Sequence, residues 1–163
     1  MTRDERVRIP ALGPRGEGWV ALQSVVLLAA VVCAVVGPAW PRSVEPELRI
    51  AGFVLEAAGA ALFLAARVEL GRSFTVLPRP RKRASLRRHG VYAYARHPIY
   101  GGLLLFLVGL ALHRSALVFL PASALAVVFL FKSMREEAWL AERFPDYPAY
   151  RRATPRRFVP WLV

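Results

Sequence analysis

The sequence contains a single cysteine, Cys33, which lies within an apolar stretch. One cysteine cannot form an intramolecular disulfide or a multi-thiolate metal site, so both are excluded. The histidines, His89, His97 and His113, lack the spacing of metal-ligand motifs, and the sequence predicts no metal site. Neither GxGxxG after a strand nor GxxxxGKS or GxxxxGKT is present, which argues against nucleotide sites of the Rossmann and P-loop types.

Acidic residues and lysines are also scarce. The chain has 11 Asp and Glu against 23 Lys and Arg, a formal net charge of +12, and only two of these basic residues are lysines. A net positive charge of this size is also typical of proteins that bind nucleic acid. However, the basic run 79–88 lies between apolar segments, and a basic loop on a membrane protein more often contacts anionic lipid headgroups. We therefore expect membrane lipids as partners and no nucleic acid.

Long polar stretches are few, and the mean hydropathy is +0.37 despite the charge. Charged residues are segregated from four apolar blocks, one of which contains Glu56 as its only ionisable residue. Blocks of this length predict membrane-spanning helices. Four of them leave too little polar chain to cover a soluble core. The sequence predicts an all-α integral membrane protein, a single domain over 1–163, with four transmembrane helices at about 19–38, 49–68, 98–113 and 115–133.

The basic residues predict the orientation of these spans. Twenty of the 23 lie before the first span, between 67 and 96, or from 132 onward. By the positive-inside rule, both termini, the loop 70–97 and the C-terminal segment 134–163 are expected to be cytoplasmic, in a cytoplasmic (inner) membrane. The connection between the last two spans is short, so these are expected to form an antiparallel hairpin.

A polar cluster directly precedes the third span. It contains Arg96, His97, Pro98 and Tyr100. Pro98 suits the first turn of a helix, where its missing N–H costs no hydrogen bond. The unpaired N–H groups of such a turn, together with the two-pronged guanidinium of Arg96, predict a site for a carboxylate or phosphate at the membrane surface.

Acidic and aromatic residues are expected at the same surface. Glu136 and Glu137 follow the fourth span, where they suit the ammonium of a ligand whose carboxylate lies at the start of the third span. A solvated helix face is the alternative interpretation. All five tyrosines lie in the predicted cytoplasmic segments: Tyr92, Tyr94, Tyr100, Tyr147 and Tyr150. Their rings could bind a cation or an adenine ring of a ligand, or they could form an aromatic belt at the membrane interface. Glu56 is a further candidate because a charge within a span is costly.

Three motifs occur in a specific order: GVYAYARHPIYGG at 90–102, REE at 135–137 and FPDYPAYRRATPRRFVP at 144–160. With the intervening spans they resemble the isoprenylcysteine carboxyl methyltransferase and phospholipid methyltransferase family of integral membrane enzymes. The resemblance implies S-adenosylmethionine as the cofactor. It also implies methyl transfer to a lipophilic acceptor, an isoprenylcysteine-like carboxylate or another lipid.

The resemblance also implies residue roles. Arg96 would face the reacting group and, with Glu137, would form the catalytic pair. The expected cofactor-binding residues, with the aromatic Tyr92 included, are Tyr92, His97, Pro98, Tyr100, Glu136, Glu137, Tyr147 and Tyr150. The chain has Ala153-Thr154-Pro155 where the eukaryotic carboxyl methyltransferases have Arg-Val-Pro. The reaction type is therefore better supported than the acceptor.

Two other functions remain open at this point. The NADPH-dependent sterol and steroid reductases have a segment that also resembles RHPxY, but they typically carry Asn after the proline and an acidic residue soon after the tyrosine. This chain has Ile99 and Gly101-Gly102 there. The second is a non-enzymatic four-helix membrane scaffold, which would tolerate His97→Ala and Glu137→Ala without any loss of small-molecule affinity.

Overall fold

The computed structural model describes residues 9–81 and 83–159. In this part of the chain all regular structure is helical and no strand is present, in agreement with the all-α prediction. The α-helices, in chain order, are α1 (Glu17–Val36), α2 (Glu45–Leu70), α3 (Pro98–Arg114), α4 (Phe119–Arg143) and α5 (Tyr147–Ala153).

Glycine and proline lie at the start of each of the first three helices and at the end of α1. Gly16 precedes α1 with a φ of 84°, in the left-handed region that favours glycine, and Gly37 follows the last residue of the helix. Pro46 and Pro98 lie in the first turns of α2 and α3. A proline is tolerated there because the first N–H groups of a helix have no partner within it.

Three helical segments are long and apolar enough to cross a membrane: Glu17–Val36, Glu45–Ser73 and Ala116–Arg143. They correspond to the first, second and fourth predicted spans. Helix α3 has 17 residues. At 1.5 Å per residue it is about 25 Å long, whereas the hydrocarbon core of a bilayer is about 30 Å thick. The structure supports an integral membrane protein, and the count of four spans stays a prediction.

The outer surface of α1 is apolar. Val25, Leu28 and Val35 are 65%, 64% and 72% exposed, respectively. Large apolar side chains exposed together along one helix are unfavourable in water, and contact with lipid removes that cost. Their exposure supports α1 as a helix that faces the bilayer.

Helix α3 makes its most extensive contacts with α2. Glycines on the two antiparallel helices face each other, Gly52 opposite Gly109 and Gly59 opposite Gly102. A Cβ atom added to Gly59 would lie 2.6 Å from the carbonyl oxygen of Gly102. Glycine is needed here because it lets the two backbones approach closely, which strengthens helix association in membranes.

The connection between α3 and α4 is short, as the sequence predicts. It consists of Ser115 and a 3₁₀ turn at Ala116–Val118. The two helices contact each other, although α3 packs more extensively on α2 than on α4. Helix α4 also packs against α1, and the apolar core between α1, α3 and α4 includes Ala30, Leu107 and Phe129.

The C-terminal segment returns to the start of α3. The backbone N–H groups of Arg96 and His97 donate to the carbonyls of Arg156, at 3.1 Å, and Arg157, at 2.7 Å. At the end of α2, the carboxylate of Glu69 accepts the N–H of Val91 at 3.1 Å. These contacts bring the end of α2, the start of α3 and the C-terminal segment together.

Candidate functional site

A cavity with a volume of about 300 Å³ lies where these elements meet. Its walls come from α2, α3, α4 and α5, from the connecting segment 71–97, and from Gln23 of α1. Most of the residues that the sequence predicts for the site line it: Tyr92, Arg96, His97, Tyr100, Glu136, Tyr147 and Tyr150. Apolar side chains complete the lining, among them Phe63, Ile99, Leu103 and Leu140.

Glu137 does not line the cavity but lies behind it. Its side chain is 4% exposed, and its Oε1 is 3.0 Å from Arg96 Nε and 3.2 Å from His97 Nε2. The Nε atoms of Arg157 and Arg151 approach the same carboxylate at 3.5 and 3.8 Å. Because several cationic or polar groups surround it, Glu137 orients other side chains. It has little capacity left for a ligand.

Arg96 joins the start of α3 to the C-terminal segment. Its Nη1 donates to the carbonyls of Thr154, at 2.7 Å, and Pro155, at 2.6 Å, in addition to the Nε contact with Glu137. The residue is 9% exposed and borders the cavity. The protein itself therefore uses much of the donor capacity of Arg96.

Glu136 is the acidic residue that faces the cavity. Its side chain is 25% exposed, and its Oε2 accepts the hydroxyl of Tyr100 at 2.8 Å. The ring of His97 lies between the two carboxylates, with Nδ1 3.7 Å from Glu136 Oε2. The adjacent glutamates thus differ: Glu136 remains available to a cationic ligand group, and Glu137 is enclosed by protein.

Three tyrosines form one wall near α5. The Tyr150 hydroxyl donates to the carbonyl of Tyr92 at 2.7 Å, and the Tyr92 hydroxyl donates to Ala66 O at 3.4 Å. Tyr147 is 2% exposed, and its buried hydroxyl has no hydrogen-bond partner among the described residues. Burial raises the pKa of all three phenols well above the usual range, so they stay protonated at neutral pH.

The other candidates lie outside the cavity lining. Pro98 is fully buried at the first position of α3, where it helps to begin the helix. Tyr94 is 53% exposed. Glu56 of α2 lies 3.1 Å from His113 Nδ1 of α3, and the His113 ring packs against Phe53. The intramembrane glutamate is thus paired between two helices, apart from the cavity.

Sequence reasoning missed Lys132 and Gln23. Lys132 of α4 is 1% exposed, and its Nζ donates to Gln23 Oε1 of α1 at 2.6 Å. Both residues line the cavity. A signal was present, because Lys132 is one of only two lysines in an arginine-rich chain and directly follows an apolar block. The partnership with α1 could not be read from the sequence.

Comparison with known proteins agrees with the resemblance. The cobalt-zinc-cadmium resistance protein CzcN of Cupriavidus metallidurans is 34% identical over 80 residues, which are 48% of this chain and 37% of that protein. The match thus spans little more than a third of that relative. A family model of phospholipid methyltransferase matches residues 48–147, a region that contains most of α2 and all of α3 and α4. Because this match covers more than half of the sequence, the chain belongs to the phospholipid methyltransferase family.

Proposed function

We propose that the protein is an S-adenosylmethionine-dependent methyltransferase that acts on a lipophilic acceptor at the cytoplasmic face of the membrane. Family membership supports methyl transfer by a membrane protein. The observation that supports the cofactor best is the cavity itself, which is lined by Glu136 and by Tyr147, a residue whose buried hydroxyl has no hydrogen-bond partner among the described residues. A buried hydroxyl without a protein partner favours a ligand that supplies one.

The polar lining fits the chemical groups of S-adenosylmethionine. Glu136 would hold its ammonium group through a charge-assisted hydrogen bond, and Tyr147 would bond to a polar atom of the same molecule. The ring of Tyr92 offers an aromatic face for a cation or an adenine. When bound, this cofactor supplies an electrophilic methyl group on a positively charged sulfur.

The remaining residues support methyl transfer by holding the site closed and ordered. Glu137 orients His97 and Arg96, and Arg96 ties the C-terminal segment over the start of α3. This arrangement would exclude water and hold donor and acceptor in line, which accelerates group transfer. We propose Arg96 and Glu137 as the pair on which this geometry depends.

The acceptor would enter from the lipid. Apolar residues from α2 and α3, Phe63 and Leu103, line the cavity beside its polar groups. This combination suits a molecule with a lipid tail and a polar reactive end. The proposal retains the orientation predicted from the basic residues, with both termini and the connecting segment 70–97 on the cytoplasmic side.

Transfer of a labelled methyl group tests this function. Purified protein in detergent is incubated with methyl-tritiated S-adenosylmethionine and a bacterial lipid extract, and radioactivity in the organic phase is counted. We expect label in the lipid fraction. Glu136→Gln should reduce transfer at least about tenfold because a charge-assisted hydrogen bond is lost.

The control for this assay is Glu142→Gln, the same change at an exposed position of α4, which should transfer at the wild-type rate. Equal losses in both variants would contradict the role of Glu136. If the lipid phase stays unlabelled although the protein binds the cofactor, the acceptor class is wrong.

A further inference from the structure

The cavity contains a buried cation at the end of the fourth predicted span. Lys132 lies near the middle of the long helix that includes α4, and its side chain is almost completely enclosed. An ammonium group has three N–H donors. Among the described residues, one hydrogen-bond acceptor contacts it, the Oε1 atom of Gln23.

No carboxylate in the described part of the chain forms an ion pair with Lys132. Glu136 lies one turn further along α4, but its Oε2 accepts the hydroxyl of Tyr100, and its contacts do not include the Lys132 ammonium within 4.0 Å. The rings of Tyr100 and Phe129 lie 5.1 and 5.9 Å from Lys132 Nζ. Aromatic faces and one amide oxygen compensate only in part for burying a charge.

The charges of the other two basic residues on the described cavity wall, Arg96 and Arg87, are compensated by protein groups or by water. Arg96 is engaged by Glu137 and by two backbone carbonyls. Arg87 is exposed, so water solvates its charge. Lys132 is therefore the buried cation of the described lining whose donors are not already occupied by protein acceptors.

We propose that Lys132 is an oxyanion-binding residue, positioned by Gln23, which recognises a carboxylate or phosphate group of the acceptor molecule. The proposal rests on the proposed function insofar as the bound molecule is the methyl acceptor. A lipophilic molecule with an anionic group would place its tail against the apolar lining and its anion against the ammonium. Glu136 acts on Lys132 only through its charge at a distance and is hydrogen-bonded to Tyr100, so the contacting oxyanion comes from the ligand.

Two observations assign this oxyanion to the acceptor instead of the cofactor. Gln23 belongs to α1, a helix long and apolar enough to cross a membrane. The Lys132 ammonium also lies 5.9 Å from the ring of Phe129, which belongs to the apolar core between α1, α3 and α4. The groups proposed for the cofactor, Glu136 and Tyr147, lie further along α4 and in α5. The ammonium thus lies toward the side from which a lipid would enter.

Binding of simple amphiphiles tests the proposal without any need for turnover. The full chain in neutral detergent is titrated calorimetrically with octyl phosphate, octanoate and octan-1-ol, and heats from empty micelles are subtracted. We expect the two anionic probes to bind at least about tenfold more tightly than the alcohol, because hydrogen bonds to a charged group are the strong ones. Absence of this preference in the wild type would overturn the proposal.

Substitutions test whether Lys132 causes the preference for the anionic probes. Lys132→Met should abolish it, Lys132→Arg should retain it, and Gln23→Leu should weaken it several-fold because the ammonium is no longer positioned. Arg49→Met, which removes one exposed basic residue at the other end of α2, serves as the matched control and should change nothing. Equal loss of all three probes in Lys132→Met would indicate a structural role instead.

A separate titration with S-adenosylmethionine distinguishes the two proposals. Lys132→Met should bind it within about twofold of the wild type. If Lys132→Met loses the cofactor but still prefers octyl phosphate, the oxyanion belongs to the cofactor and the inference is wrong. If the wild type prefers the anionic probes yet binds no S-adenosylmethionine, the inference about Lys132 stands and the proposed function fails.

Discussion

Neighbouring residues of the same type have different tasks in this site. Glu137 faces inward, toward Arg96 and His97, whereas Glu136 faces the cavity. Adjacent helix positions point about 100° apart, so two neighbouring glutamates cannot share one environment. The two tyrosines of α5 also differ, because the Tyr150 hydroxyl is hydrogen-bonded to the backbone and the Tyr147 hydroxyl has no hydrogen-bond partner among the described residues.

Because the two hydroxyls differ in this way, replacing Tyr147 or Tyr150 by phenylalanine should have different effects on stability and on cofactor binding. Tyr147→Phe removes a hydroxyl that has no partner among the described residues, so the free energy of unfolding should be unchanged. The same change should weaken S-adenosylmethionine binding about tenfold, because one ligand hydrogen bond is lost. Calorimetry and thermal unfolding in detergent measure the two quantities.

Tyr150→Phe is the control for that experiment. It removes the 2.7 Å hydrogen bond to the carbonyl of Tyr92 and should lower the free energy of unfolding by about 1 kcal/mol. If Tyr147→Phe is the less stable variant and binds the cofactor normally, the assignment of the two hydroxyls is reversed.

Close packing of α2 on α3 supports the site at the level of elements. Gly59 and Gly102 allow the backbones to touch, and Glu56 contacts His113 between the same helices. The cavity borders the end of α2 and the start of α3. A change in the separation of these helices would therefore alter the cavity directly.

Gly59→Leu tests the importance of this contact. The added side chain meets the backbone of α3, which cannot move aside cheaply, so we expect a loss of about 3 kcal/mol in the free energy of unfolding. Ala57→Leu, at an exposed position of the same helix, should change it by less than about 0.5 kcal/mol. Equal stability of the two variants, measured by denaturant titration in detergent, would rule out a tight α2–α3 interface.

The sequence predicts the helices and much of the cavity lining, but not the detail of the site. Helix starts follow from residues such as Pro98, and the charged ends of helices are expected at one membrane surface. Which of Glu136 and Glu137 faces the cavity depends on how α4 is rotated about its own axis. The apolar blocks of the sequence do not specify that rotation. Lys132 was missed because its partner lies on α1, and the neighbours of a helix in a membrane depend on packing that the sequence does not reveal.

The topology of the complete chain depends on whether α3 crosses the membrane. Its length is marginal, yet its backbone lies against α2 along several turns. A helix buried against a longer one needs less apolar length, because local thinning of the bilayer accommodates it at modest cost. The distribution of basic residues also predicts that α3 crosses the membrane.

Cysteine labelling measures the topology directly. In a Cys33→Ser background, single cysteines are introduced at the exposed positions Arg42, Arg81 and Arg114 and probed with a membrane-impermeant maleimide in spheroplasts. Arg42→Cys and Arg114→Cys should react from outside, and Arg81→Cys only after lysis. If Arg114→Cys behaves like Arg81→Cys, α3 does not cross and the chain has three spans.

Binding of S-adenosylmethionine to the purified full chain is the decisive experiment, because the proposed methyl transfer depends on this cofactor. Calorimetry should show S-adenosylmethionine binding to the wild type, at least about tenfold weaker binding to Glu136→Gln because a charge-assisted contact is lost, and unchanged binding to Glu142→Gln. Titration with NADPH should give no heat of specific binding. A folded protein that binds NADPH and ignores S-adenosylmethionine would contradict the account.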